Sequence, residues 1–97
     1  MINLNSKQVS YLRALSHKLS VVVIIGNKGL GEPVLREIDA SLKAHELIKI
    51  KVTGDDRALR KAHLEQICQH TGAALIHHIG KQLVIYRPAD KPTIVLP

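Results

Sequence analysis

Five consecutive β-branched residues, Val21–Ile25, end at Gly26 and restrict the fold of this chain more than any other segment. β-branched side chains favour strands, and an unbroken apolar run is typical of a parallel strand that is covered on both faces. A glycine-rich turn follows at 26–31, and Pro33 suits the first turn of a helix. We therefore predict strand, tight turn and helix in succession, with the strand in a central, parallel position of a sheet.

Hydrophobic periodicity predicts three helices and four strands along the chain. The helices span about residues 6–18, 33–45 and 57–70, and the strands span 21–25, 47–53, 74–79 and 82–87. Ser6 is the candidate N-cap of the first helix, and Gly72 is a C-terminal stop signal for the third. The order αβαβαββ predicts an α/β fold, a mixed four-stranded sheet packed with three helices. The two β-α-β connections are parallel, and the last two strands form a hairpin.

The second predicted strand alternates between apolar and basic side chains. One face carries Ile48, Ile50 and Val52, and the other face carries Lys49 and Lys51. Successive side chains of a strand point to opposite faces of its sheet. At least part of one sheet face should therefore meet water.

Length and composition favour one basic domain, residues 1–97. The 97 residues carry 14 Lys and Arg against eight Asp and Glu, a formal net charge of +6 with His neutral. A chain of this length forms one small core. We place the core at about residues 4–88, followed by a C-terminal tail at 89–97 that could dock or stay loose. The charge favours polyanions, and the candidates are nucleic-acid phosphates or an anionic membrane surface.

Cysteine content and hydropathy indicate the cellular compartment in which the protein functions. Cys68 is the only cysteine, so an internal disulfide is excluded. The longest aliphatic run is Val21–Ile25, which is too short to cross a bilayer. We therefore expect a cytoplasmic protein with no membrane partner.

The glycine-rich turn is the candidate binding site. Glycines adopt positive φ and expose backbone N–H groups, and the positive end of the following helix attracts an anion. The candidate residues are Gly26, Asn27, Lys28, Gly29, Leu30 and Gly31. Glu32 and Pro33 follow Gly31, which excludes a nucleoside-triphosphate loop, and the glycine spacing differs from the dinucleotide fingerprint. The alternative is that these glycines only make a tight strand-to-helix turn.

Basic residues elsewhere could extend this site. Residues 1–31 contain four basic side chains and no acidic one. The flanking candidates are Lys7, Arg13, Lys18, Lys49, Lys51 and Arg87. The alternative is a solvated helix face for those on the first helix and protection of an exposed strand for the two lysines of the second strand.

Two further sets of residues narrow the interpretation. Arg57, Arg60 and Lys61 begin the third helix and are interpreted as solubility residues. Tyr11 and Tyr86 are the only aromatic residues, which disfavours recognition by stacking of several bases.

Patterns typical of catalysis and metal binding do not occur. The six histidines include no His-x-x-x-His pair. His63 and His70 could share a helix face, but they lack a third ligand for zinc. Asp55 and Asp56 are interpreted as helix-capping residues. We therefore predict no enzymatic activity, no metal and no cofactor.

Four segments, taken in order, resemble the CRM domain, an RNA-binding module of chloroplast splicing factors and bacterial ribosome-maturation proteins. The segments are Ile25-Gly26-Asn27-Lys28-Gly29-Leu30, 38–42, 45–52 and 80–88. The resemblance covers about residues 4–88. Many members of the family carry lysine directly after the first glycine, where this chain has Asn27 and then Lys28.

The resemblance implies a fold similar to the C-terminal domain of bacterial initiation factor three and binding of structured RNA. For stand-alone bacterial members it implies association with precursors of the large ribosomal subunit. The leading hypothesis is therefore a non-catalytic RNA-binding protein that assists large-subunit assembly. Its expected partners are precursor ribosomal RNA and pre-ribosomal particles. The sequence leaves the oligomeric state open, and we expect a monomer.

Two alternatives belong to other functional classes. One is a protein-interaction adaptor that docks on a ribosomal protein or assembly factor through an open sheet face. The other is a small phosphate-dependent enzyme, which the missing acid–base constellation disfavours.

Overall fold

The computed structural model describes residues 2–26 and 29–97. Within these residues, three helices and four strands follow the predicted order αβαβαββ. They are α1 (Ser6–Ser16), β1 (Val21–Ile25), α2 (Glu32–His45), β2 (Leu47–Val52), α3 (Arg57–Thr71), β3 (Ala74–Ile79) and β4 (Gln82–Tyr86). The strands form a mixed sheet in the order β1-β2-β4-β3, in which β1 and β2 are parallel and the other neighbours antiparallel. The predicted fold class is confirmed.

β1 lies at the edge of the sheet, so its predicted central position is wrong. Among the described strands it pairs only with β2, and its Val22 and Ile24 side chains are 43% and 62% exposed. Val23 and Ile25, on the other face of β1, are buried. The prediction failed because a β-branched run reports strand propensity rather than burial on both faces. The two central strands are β2 and β4, since the hairpin strand β4 adds beside β2 and not beside β1.

Helices cover the two faces of the sheet unequally. α2 and α3 cover one face, where Ile38 and Ile67 belong to the same buried cluster as Ile50 of β2. α1 lies on the opposite face, where Leu12 is fully buried in a smaller cluster with Tyr86. No helix in the described ranges is long and apolar enough to span a bilayer.

The alternation predicted for β2 is observed, and it leaves part of the α1 side uncovered. Ile48, Ile50 and Val52 are buried, whereas Lys49 is half-buried and Lys51 is exposed. Strand pairing places further residues of the other strands on the same side as the two lysines. We call this uncovered surface the open face; it comprises Val22, Ile24, Lys49, Lys51, His77, Ile79 and Gln82.

The N-cap of α1 is Asn5, and the prediction of Ser6 is wrong. Oδ1 of Asn5 accepts a hydrogen bond from the N–H of Gln8 at 2.8 Å, and the N–H of Asn5 donates to Oε1 of Gln8 at 3.1 Å. This capping box satisfies two backbone donors at once, which a cap without a reciprocal partner does not do. The predicted stop at Gly72 is confirmed, since Gly72 has a left-handed φ of 73° directly after α3.

The C-terminal tail docks, and Glu46 holds it. Glu46 follows α2, has a φ of 66° and is 2% exposed. Its carboxylate accepts hydrogen bonds of 2.6–3.1 Å from the N–H groups of Ala89, Thr93 and Ile94 and from the Thr93 hydroxyl. Burial alone would raise the pKa of Glu46, but these hydrogen bonds outweigh burial and lower it to about 2. We call Glu46 with the tail, residues 89–97, the tail clasp.

Candidate nucleic-acid interface

The glycine turn connects the end of β1 to the start of α2. The N–H of Gly29 donates to the carbonyl of Gly26 at 3.0 Å, and Gly29 has a φ of 74°, which favours glycine. Gly26 and Gly31 are exposed, and Gly29 and Leu30 are half-buried. The predicted contacts Asn27 and Lys28 lie outside the described residues. The four described members of the turn therefore meet solvent at the carboxyl end of β1.

The start of α2 adds backbone donors to this turn. Its N-cap is Gly31, and no side chain in the described part of the chain caps it. The N–H groups of Glu32 and Val34 belong to the first turn, where a helix leaves its donors without intrahelical acceptors, and Pro33 has no N–H. An anionic oxygen suits such a helix end, although the exposed Glu32 carboxylate also lies in this turn.

Two carboxylates lie close to the turn. Asp55 and Asp56 line a depression of about 270 Å³ together with Gly26 and Gly29. Asp55 forms an ion pair with Lys81 at 3.0 Å, and the hydrogen bond from Lys81 lowers the pKa of Asp55. Asp56 is the N-cap of α3 and accepts from a backbone N–H at 3.0 Å, which confirms its predicted capping role. Both carboxylates thus have partners in the protein.

Lys49 and Lys51 lie together on the open face, beside the C-terminal end of α1. Lys49 lines a small depression with His17, the C-cap of α1, and with His77 of β3. Lys51 pairs with Ile24 of β1, directly before the glycine turn. The open face therefore joins a cationic surface to the turn at the carboxyl end of β1.

The lowered pKa of His77 reflects the positive charges around this surface. Burial lowers the pKa of His77, and the positive charges of Arg13, His17 and His78 lower it further. The guanidinium of Arg13 also donates to a carbonyl of β3 at 3.4 Å, so it lies near the β3 side of the face. The sequence prediction did not include His17 or His77 in the site. Strand alternation could have placed His77 on the lysine side, but the position of α1 over the sheet could not be read from the sequence.

Lys7 and Lys18 are exposed but lie elsewhere. Lys7 is in the first turn of α1, next to Gln8, whose side chain donates to the carbonyl of Pro97 in the tail. Lys18 lines an apolar groove with Leu47, at the start of β2 and the opposite end of the sheet from the glycine turn. The structure therefore places Lys49 and Lys51 on the open face and Arg13 near His77 of that face, whereas Lys7 and Lys18 lie elsewhere.

Arg87 is engaged inside the fold. Its guanidinium donates to Oδ1 of Asp39 at 2.7 Å and to the carbonyl of Thr71 at 2.8 Å. The hydrogen bond from Arg87 is the largest cause that lowers the pKa of Asp39, and Lys43 adds to it. Arg87 thus connects the end of β4 to α2 and α3. Its donors are directed at protein acceptors, so we leave it out of the interface.

The exposed glycine turn and the cationic open face define a small basic α/β protein whose surface suits a polyanion. No group of three His, Cys, Asp or Glu within the described ranges could hold a metal ion. Residues 4–87 match the family model of the CRS1 / YhbY (CRM) domain. Because this match covers most of the chain, the protein belongs to that family.

Two bacterial relatives and one solved structure agree with this family. The chain is 44% identical over 97 residues to an RNA-binding protein of Haemophilus influenzae, covering 100% of this chain and 98% of the relative. It is 36% identical over 89 residues to a probable RNA-binding protein of Pseudomonas aeruginosa, covering 92% and 86%. The solution structure of a Staphylococcus aureus protein suggested to bind RNA superimposes with a TM-score of 0.83 at 34% identity, covering 98% of this chain and 100% of that chain. The resemblance seen in the sequence is confirmed for family and fold.

Proposed function

We propose that residues 1–97 act as one non-catalytic RNA-binding domain. The RNA backbone lies across the glycine turn and the open face, where backbone N–H groups, Arg13, Lys49 and Lys51 contact phosphates. We include Asn27 and Lys28 as RNA contacts, as the sequence predicts. The observation that carries the proposal is the exposed glycine turn at the start of an α2 helix that no described side chain caps, beside a cationic sheet face. The relatives named as RNA-binding proteins support RNA as the polyanion.

Recognition depends on phosphates and RNA shape more than on base identity. Tyr86 is 2% exposed and therefore cannot stack on a base, and Tyr11 lies on α1 with 40% exposure. A surface with so few aromatic platforms contacts mainly the backbone. Binding should therefore weaken steeply with added salt, because counterions are released from the RNA.

We further propose that the RNA is precursor ribosomal RNA of the large subunit, within pre-ribosomal particles of the cytoplasm. Family membership and the match to bacterial relatives over most of their length support this assignment, since the sequence resemblance implies such an association for stand-alone bacterial members. Crosslinking of the protein to RNA in cells, followed by sequencing, tests it. Enrichment of large-subunit precursor sequences is expected. Enrichment of messenger or transfer RNA would contradict the ribosomal assignment and leave RNA binding intact.

Gly26 offers a sharp test of the turn. A Cβ atom at Gly26 would meet no atom of the described residues within 4 Å, so a side chain fits beside them without a clash. We expect Gly26→Asp to weaken binding of a hairpin RNA about tenfold, or ~1.4 kcal/mol, because its carboxylate repels phosphate. Gly26→Asn is the matched control, since it adds a side chain of the same shape without charge. Equal affinities of the two variants would exclude phosphate contact at the turn.

A protein-interaction adaptor is the second candidate, and three exposed aliphatic residues favour it. Val22, Ile24 and Ile79 on the open face are 43%, 62% and 55% exposed. Exposed apolar patches are typical of protein interfaces. Ribonuclease treatment of native particles separates the two candidates. Release of the protein supports RNA binding, and retention supports the adaptor.

A further inference from the structure

Arg60 of α3 is buried beside the glycine turn. It is 8% exposed, although the sequence predicts a solubility residue at this position. It lines the depression that Gly26 and Gly29 also line. Arginine is rarely this buried without a paired anion. The position of Arg60 therefore calls for a partner.

The guanidinium of Arg60 is only partly satisfied. Nη1 donates to the carbonyl of Gly54 at 3.2 Å. Nε is shielded from water and has no hydrogen-bond partner among the described residues. Nε and Nη2 form the edge of the planar group that binds two oxygens of one carboxylate or phosphate. The acceptor described for the Arg60 guanidinium, the carbonyl of Gly54, is bound by Nη1, so this edge has no acceptor among the described residues.

His63 extends the same unsatisfied region. It lies three residues after Arg60 on α3, so both side chains lie on one face of the helix. Its Nε2 lies 3.8 Å from the position that a Cβ at Gly29 would take. Its Nδ1 is buried and has no partner among the described residues. Arg60 and His63, beside the glycine turn, thus each have a buried nitrogen that no described residue pairs, and a buried polar atom without a partner is costly.

The nearby carboxylates do not accept hydrogen bonds from the Nε–Nη2 edge of Arg60. Asp55 is paired with Lys81, and Asp56 accepts from the N–H of Leu59. The positive charge of Arg60 lowers the pKa of Asp55 only as a minor cause, through charge attraction rather than a hydrogen bond. An arginine that lies near two carboxylates and bonds neither of them is available for another anion.

We propose that Arg60 and His63, together with Gly26 and Gly29, form a pocket for a single phosphate group of the bound RNA strand. The inference rests on the proposed RNA-binding function. One phosphate oxygen pair takes the Nε–Nη2 edge of Arg60, and the turn holds the same strand from the other side. Because Nε is shielded in the free protein, entry of the phosphate requires a local rearrangement of the side chains around Arg60.

Nuclear magnetic resonance of the unmodified protein tests the pocket directly. The Arg60 Nε–H signal is followed during titration with a hairpin RNA and, separately, with inorganic phosphate. We expect RNA to shift this signal together with the N–H signals of Gly26 and Gly29, and phosphate to shift it at higher concentration. Shifts of the turn signals without any change at Arg60 Nε–H would overturn the pocket and leave the proposed function standing. RNA binding that moves neither set, or no binding at all, would overturn both.

Variants supply a second readout. Arg60→Lys keeps the charge but loses the two-donor edge, and we expect roughly tenfold weaker RNA binding. Arg57→Lys is the matched control on the exposed part of the same helix, and its affinity should be unchanged. A circular dichroism melt checks that Arg60→Lys is folded. Folded Arg60→Lys with the affinity of the control would overturn the pocket, while loss of affinity in Gly26→Asp alone would still support the turn.

Discussion

The tail clasp and the glycine turn differ in whether the chain itself supplies partners for its polar groups. In both places the chain leaves regular structure and exposes backbone donors. At the tail clasp, the Glu46 carboxylate accepts from three N–H groups and one hydroxyl of its own chain. At the glycine turn, Gly31 supplies no capping side chain, and Arg60 keeps Nε without a described partner. Polar groups closed by the chain itself hold the fold, whereas those left open are available to a ligand.

The largest expected effect is at the tail clasp. A fall in the Glu46 pKa from 4.5 to about 2 corresponds to about 3 kcal/mol of stabilisation from the ionised carboxylate. Glu46→Gln should therefore lower the free energy of unfolding by about this amount, measured by urea denaturation at neutral pH. The stabilisation is complete above pH 4.5 and is lost as the pH falls through 2, because the folded-state pKa is the lower one.

The pH dependence provides the control for this prediction. The loss of stability of the parent protein between pH 4.5 and 2 should be smaller in Glu46→Gln, and RNA affinity at neutral pH should be the same in both. Parallel pH profiles of the two proteins would contradict the role of Glu46. A large loss of RNA affinity in folded Glu46→Gln would contradict the assignment of the tail clasp to stability alone.

Arg87 should belong with the tail clasp in its effects, although the sequence predicts it as a phosphate contact. Arg87→Met removes hydrogen bonds to Asp39 and to the carbonyl of Thr71, and we expect a loss of about 2 kcal/mol in thermal or urea unfolding. Lys43→Met is the matched control, since Lys43 pairs with the same Asp39 at 3.3 Å but its side chain is 74% exposed. That variant should change stability by less than about 0.5 kcal/mol. Weakened RNA binding in folded Arg87→Met would restore Arg87 to the interface.

The open face should show the reverse behaviour. We expect the double variant Lys49→Gln, Lys51→Gln to weaken RNA binding about tenfold and to reduce the slope of log affinity against log salt by about one to two. Its stability should change little, because Lys51 is exposed and Lys49 half-buried. Lys7→Gln with Lys18→Gln removes the same charge from positions outside the open face. Equal salt slopes for the two double variants would show that only net charge matters.

Local sequence patterns predicted the elements and the two faces of β2. They failed where the outcome depended on which elements meet. The apolar run of β1 correctly predicted a strand but wrongly predicted a central one. The hairpin adds β4 beside β2 and not beside β1, so β1 stays at the edge of the sheet. Asn5 displaced Ser6 as N-cap because Gln8 could return a hydrogen bond.

The candidate site was predictable to the same extent. The glycine turn and the lysines of β2 follow from local pattern, and the structure places them on adjoining surfaces. Two arginines differ from their predicted environments. Arg87, a predicted phosphate contact, pairs with Asp39, and Arg60, a predicted solubility residue, is buried. A basic side chain has the same appearance in a sequence whether or not the fold supplies it with an acceptor. Only the packing of α2 and α3 against the strands decides that.

The smallest expected effect concerns His77 and distinguishes the open face from the turn. Burial and the charges of Arg13, His17 and His78 lower the pKa of His77, which favours its neutral imidazole in the free protein. A phosphate on the open face would offset those charges and favour the protonated form. By linkage, affinity should rise about threefold as the pH falls through the range below 6.5, and His77→Gln should reduce this rise. His70→Gln, on the exposed surface of α3, is the control, and equal pH profiles for the two variants would place the RNA away from the open face.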